Sequence, residues 1–98
     1  MSATVVFLRR AKTQIATITR DLAARSPQAA REFVDALEAK TQQLAEFPEL
    51  SPVWEDDVRR MLLGRVPYSL FSIFDATQNT VTIIACYHDR SDPQSWRY

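Results

Sequence analysis

The apolar positions of this chain change period twice, and the changes mark its elements. Val5-Val6-Phe7-Leu8 is a continuous apolar run bounded by polar residues, which predicts a brief strand buried on both faces. From Arg10 to Arg25 the apolar positions Ile15, Ile18 and Leu22 recur at helical spacing, with Arg20, Asp21 and Arg25 turned away, so an amphipathic helix follows. Ser26-Pro27 stops that helix and starts another, because proline cannot continue a helix yet suits its first position behind a serine cap. The second helix is predicted to run to about Phe47, with Ala30, Phe33, Val34, Leu37, Thr41 and Leu44 inward and Arg31, Asp35, Glu38 and Lys40 outward. Phe47-Pro48 ends it. Two helices joined by so tight a turn form an antiparallel hairpin whose apolar stripes face one side and need a sheet against them.

After the hairpin the period falls to two. Pro48 to Asp56 holds two prolines and no periodicity, which predicts an irregular connection with Trp54 as its apolar anchor, packed against the helical hairpin. Three strands are then predicted, Asp57 to Gly64, Pro67 to Asp75 and Thr80 to His88. In the first, Val58, Arg60 and Leu62 alternate with Arg59, Met61 and Leu63. In the second, Tyr68, Leu70 and Phe74 lie on one face and Phe71 and Ile73 on the other, as expected of a central strand. Ala76-Thr77-Gln78-Asn79 supplies a hairpin turn, after which Val81, Ile83, Ala85 and Tyr87 alternate with Thr82, Ile84, Cys86 and His88. The pattern is α+β, β-α-α-β-β-β, in one domain over residues 1–98. It carries more large apolar residues than so small a chain can cover, which predicts an open apolar groove fit for an amphipathic helix or strand of a partner.

Composition narrows the function classes. The 98 residues carry twelve Lys plus Arg against twelve Asp plus Glu, so no net field draws the chain to nucleic acid or an anionic membrane, and any basic patch is local. The one cysteine, Cys86, sits in an apolar run, which excludes an internal disulfide and fits a reducing compartment. No apolar run reaches the ~18 residues of a membrane span, and Arg9 and Arg10 follow rather than precede the first apolar piece, the reverse of a signal peptide. A soluble, cytoplasmic protein without a membrane role is expected. Gly64 is the only glycine, so neither phosphate-binding glycine loop can be built. No cofactor is called for, and one cysteine with one histidine does not make a metal set.

Two groups of residues carry possible chemistry. His88, the only histidine, ends a strand beside Asp89, Arg90 and Asp92; it reads as a general acid or base, or as a ring that ties the strand end to the next turn. Arg59, Arg60, Arg65, Arg90 and Arg97 form the second group, which adjacent antiparallel strands would gather into a phosphate-binding surface. The alternative is a solvated face paired with Glu55, Asp56, Asp57, Asp89 and Asp92. Asp92-Pro93 is a turn signal, and Trp96 after it reads as a lid on the sheet edge or the hairpin.

Element order, length and tail together resemble the RelE/ParE superfamily of type II toxins, and its ParE, or plasmid-stabilisation, branch in particular. The pieces are Ala11 and Ile18 of the first helix; Ser26-Pro27 with Ala29, Ala30 and Phe33; Leu44 to Pro48; Val58-Arg59 with Met61; Pro67-Tyr68; and His88, Arg90, Asp92, Pro93 and Trp96. The resemblance implies an antiparallel sheet wrapped by the helical hairpin. It also implies a cognate antitoxin in a toxin–antitoxin hetero-oligomer. Members similar to RelE cut messenger RNA on the ribosome; members similar to ParE poison DNA gyrase. On the nuclease reading Arg65, His88 and Arg90 are the catalytic candidates, but Trp96 stands nearest the usual catalytic tyrosine and cannot titrate. On the gyrase reading, which the balanced charge favours, the target-binding residues are Arg59, Arg60, Arg65, Arg90 and Trp96. A third reading is a non-toxic module of this fold that retains antitoxin binding.

Overall fold

A computed structural model describes residues 2–91, arranged as β1 (Thr4–Phe7), α1 (Arg9–Arg25), α2 (Pro27–Glu46), β2 (Val53–Glu55), β3 (Val58–Leu62), β4 (Tyr68–Asp75) and β5 (Thr80–His88). The five strands form one sheet in the order β1-β5-β4-β3-β2, with β1 parallel to β5 and every other pair antiparallel. The α1/α2 hairpin covers one face. Between the helices Ser26 serves both ends: its N–H donates to Leu22 O at 2.7 Å, and its hydroxyl accepts from Ala29 N at 3.2 Å, capping α2 with Pro27 at the first turn.

Phe33, Ala36 and Leu44 of α2 and Ala11 of α1 are buried against Met61, Leu63, Leu70, Val81, Ile83 and Cys86 of the sheet, while Ile15, Ile18 and Leu22 lean on this core. At about 1.5–3 kcal/mol for each large apolar side chain fully buried, this layer is the main source of stability. A smaller cluster, Val58, Phe71, Ile84 and Ala85 with Tyr87 against it, lies on the far face of the sheet. No helix among the described residues covers that face, and Leu62 and Ile73 stand exposed on it.

Four expectations are corrected. The stretch Pro48 to Asp56 is not wholly irregular: Val53–Glu55 is an edge strand turned into β3 at Asp56-Asp57, where Asp56 takes a positive φ of 52°. Its Trp54 stacks edge-on to Phe71 on the uncovered face, rather than against the hairpin. β1 is an edge strand and only half-buried, with Val6 exposed, because the sheet ends there. In β5 the strict alternation fails. Leu70 pairs with Cys86 and Phe71 with Ala85, but Ser72 pairs with Ile83, so Ile84 is the extra residue of a β-bulge. The bulge sends Val81, Ile83, Cys86 and His88 to the helix face and Ile84, Ala85 and Tyr87 to the other.

The turns follow their chemistry. Asp75 Oδ1 accepts from Thr77 N and Gln78 N in the β4–β5 hairpin, and Asn79 closes it at a positive φ of 49°. Gly64, at φ 82°, begins the β3–β4 connection; an added Cβ would meet nothing, so glycine is needed there for its backbone alone.

Candidate functional site

The uncovered face and the tip of the helical hairpin hold most of the predicted chemistry. On the uncovered face, Arg60 of β3 donates from Nε to Ser69 Oγ at 3.2 Å and from a terminal nitrogen to Asp89 Oδ1 at 3.2 Å, and the Ser69 hydroxyl donates to the same carboxylate. Its guanidinium also lies 5.4 Å from the centre of the Trp54 ring. Trp54, Phe71 and Tyr87 continue as a run of edge-on aromatic contacts, and Arg10 of α1 donates to the Tyr87 hydroxyl. The result is an aromatic strip with a neutralised cation set into it.

The predicted arginines do not gather. Arg59 precedes Arg60 in a strand and so faces the other way, where it donates to the Ser51 and Glu49 carbonyls and pairs with the Glu49 carboxylate at 3.2 Å. Of the acids expected to pair with these arginines, only Asp89 does so among the described residues; Glu49 takes the other. Arg90 is exposed in the turn after β5, and its backbone N–H donates to His88 Nδ1 at 2.9 Å. The His88 carbonyl accepts from Ser91 N at 3.0 Å, and the ring sits edge-on to Tyr68 at 4.9 Å. His88 therefore ties the strand end to its turn, the second of its two sequence readings. Asp92, Pro93, Trp96 and Arg97 lie outside the described residues.

Arg65 and His88 do meet, in a cleft of about 340 Å³ at the tip of the hairpin, together with Arg25, Glu32 and Tyr68. Tyr68 and His88 also wall a neighbouring cleft of about 420 Å³ between α1 and the end of β5. There Gln14 Oε1 accepts from Cys86 N at 2.8 Å, where β1 has already ended and left the edge of β5 unpaired. Burial pushes the Tyr68 phenol up from its ordinary value, against the lowering pull of Arg25. Burial also pushes the Cys86 thiol up, to about 12, which makes it an inert core residue. Arg25 and Tyr68 were not picked out as site residues in the sequence. The signal was present: Ser26-Pro27 fixes the hairpin tip, and Arg25 is the residue before it.

Residues 5–93 match the family model of the ParE toxin of the type II toxin–antitoxin system parDE. The chain belongs to this family. No curated protein matches it. Among solved structures, the toxin–antitoxin complex RelBE2 of Mycobacterium tuberculosis is similar with a TM-score of 0.65 at 18% identity, over 90% of this chain and 99% of that one. The chromosomal ParDE system of P. aeruginosa is similar with a TM-score of 0.62 at 14% identity, over 89% and 96%. At such identities the two structures share the toxin's fold, β-α-α followed by an antiparallel sheet. No helix among the described residues of the toxin is long and apolar enough to cross a membrane.

Proposed function

We propose that this ParE-family toxin acts by binding rather than by bond cleavage, that its target is DNA gyrase, and that a cognate antitoxin neutralises it in a hetero-oligomer. The observation that carries the reading is how the candidate acid–base and phosphate-binding groups are used. His88 Nδ1 is held by the Arg90 backbone, Arg59 by two carbonyls and Glu49, and Arg60 by Asp89. A ribonuclease needs such groups to converge on one phosphate. On the face away from the helices Leu62 and Ile73 stand exposed, an apolar surface of the kind that recognises another protein. The family match supports the antitoxin, as does the fact that both similar structures are toxin–antitoxin systems.

The deciding experiment sets two assays side by side. Purified toxin is expected to inhibit supercoiling by gyrase and to leave ribosome-bound messenger RNA intact. A second reading rests on the cleft that Arg65 and His88 share with Tyr68, and it is the RelE-like nuclease. Ribosome-dependent cleavage that Arg65→Ala abolishes would establish it. If the protein is a non-toxic module instead, its expression without the antitoxin will not arrest growth.

A further inference from the structure

The cleft at the hairpin tip brings together groups from three separate parts of the chain: Arg25 from the end of α1, Arg65 from the β3–β4 connection and His88 from the end of β5. Neither guanidinium has an acidic or carbonyl partner for its side chain among the described residues. Tyr68, 9% exposed, forms a wall of the cleft, and its hydroxyl makes no hydrogen bond among those residues, although the Arg25 charge acts on it. Because His88 Nδ1 accepts the Arg90 N–H, the ring proton sits on Nε2, a further donor. A hydroxyl without a protein partner, open to the cleft beside two unpaired cations, is an arrangement that an oxyanion would complete.

We propose that this cleft binds a single carboxylate presented by a partner polypeptide. The proposal takes from the function above only that a protein docks on this chain. Charge selects the ligand: Glu32 also lines the cleft, its carboxylate accepting from Gln28 Nε2 at 3.3 Å, and Asp21 stands close enough to act on the Tyr68 phenol. Asp21 lies outside the cleft lining and pairs with Arg20 at 3.7 Å, so the two cations set against Glu32 alone leave room for one further negative charge. A run of phosphates would instead meet Glu32 and Asp21 at its flanks, on a chain with no net positive charge. Leu22, Val66 and Pro67 complete the walls, so the acidic side chain enters beside apolar neighbours.

The test is an NMR titration of the whole chain with N-acetyl-glutamate N-methylamide at fixed ionic strength, following the side-chain signals of Arg25 and Arg65 and the rings of Tyr68 and His88. Saturable shifts at these residues are expected, with none for the glutamine analogue. Arg25→Gln and Arg65→Gln should each weaken binding about tenfold. Glu32→Gln should tighten it about threefold, a gain that misfolding cannot imitate. An equal response to the glutamine analogue, shifts that never saturate, or tighter binding of inorganic phosphate or of an oligonucleotide would each overturn the proposal. If the probe fails while the antitoxin still co-purifies, the carboxylate site is wrong and the toxin–antitoxin reading stands. If the probe binds and no antitoxin co-purifies, the site stands and that reading falls.

Discussion

At the scale of single residues, Asp89 concentrates more of this structure than its sequence neighbourhood suggests. It accepts from Arg60 and Ser69 across two strands, and both charged side chains of the pair are about three-quarters shielded from solvent. Asp89→Asn removes the carboxylate that Arg60 and Ser69 share, and about 1–3 kcal/mol of stability should be lost in urea denaturation. Replacing Arg60 by Met in the same chain should recover much of that, since the second change removes the charge that lost its Asp89 partner. Cys86 gives a prediction in pH. Its thiol rises from 9.0 to about 12 on folding, so above pH 9 the unfolded chain gives up a proton that the folded chain keeps. Stability should accordingly fall as pH rises from about 9 towards 12, in the same sense as the raised Tyr68 phenol, and Cys86→Ala should flatten the curve. Alkylation of Cys86 at pH 8 should proceed only as fast as the chain opens.

At the scale of elements, the helices carry most of what could be read in advance. Both stripes, the serine cap and the Pro27 start stand as expected, because helix period and capping are local properties. Ser26→Ala should cost about 1 kcal/mol in chemical denaturation, and Ser26→Asp much less. The sheet was legible in its strands and less so in its faces. A bulge depends on the pairing of two strands distant in sequence, and nothing in Thr80 to His88 alone marks Ile84 as the extra residue. β2 escaped for a similar reason: three residues between a proline and two aspartates have no period to show, and only pairing with β3 makes them a strand. The site was legible by residue type and not by grouping. Arg59 and Arg60 are adjacent in sequence and face opposite sides, whereas Arg25 and Arg65 are far apart and share a cleft. Deleting Ile84 would remove the bulge and leave Ile83, Cys86 and His88 on the helix face in strict alternation, so the shortened protein is expected to stay folded by circular dichroism, whereas deleting Ala85 and Ile84 together would turn Cys86 and His88 to the other face and unfold it.

At the scale of the whole molecule, the helices cover one sheet face and supply stability, and the proposed reading gives recognition to the other. Leu62 is 54% exposed on the uncovered face, so Leu62→Lys should change stability by no more than about 0.5 kcal/mol. The same substitution should weaken the complex with the antitoxin or the target by tenfold or more in a pull-down titration, because a lysine would have to be desolvated in an apolar contact. The strand order has a different kind of consequence. β5, the last strand in sequence among the described residues, lies between β1, the first, and β4, and it is also the strand on which α1 rests. A growing chain that has not yet reached Thr80 has the hairpin and the β3–β4 part of its floor, but α1 lacks the strand it rests on, β1 lacks its neighbour in the sheet, and β4 lacks one of its two. Folding of this sheet therefore waits for β5. A chain cut short upstream of Thr80 is accordingly expected to lack this fold, and degradation of such a fragment, against persistence of the longer chain, would show it.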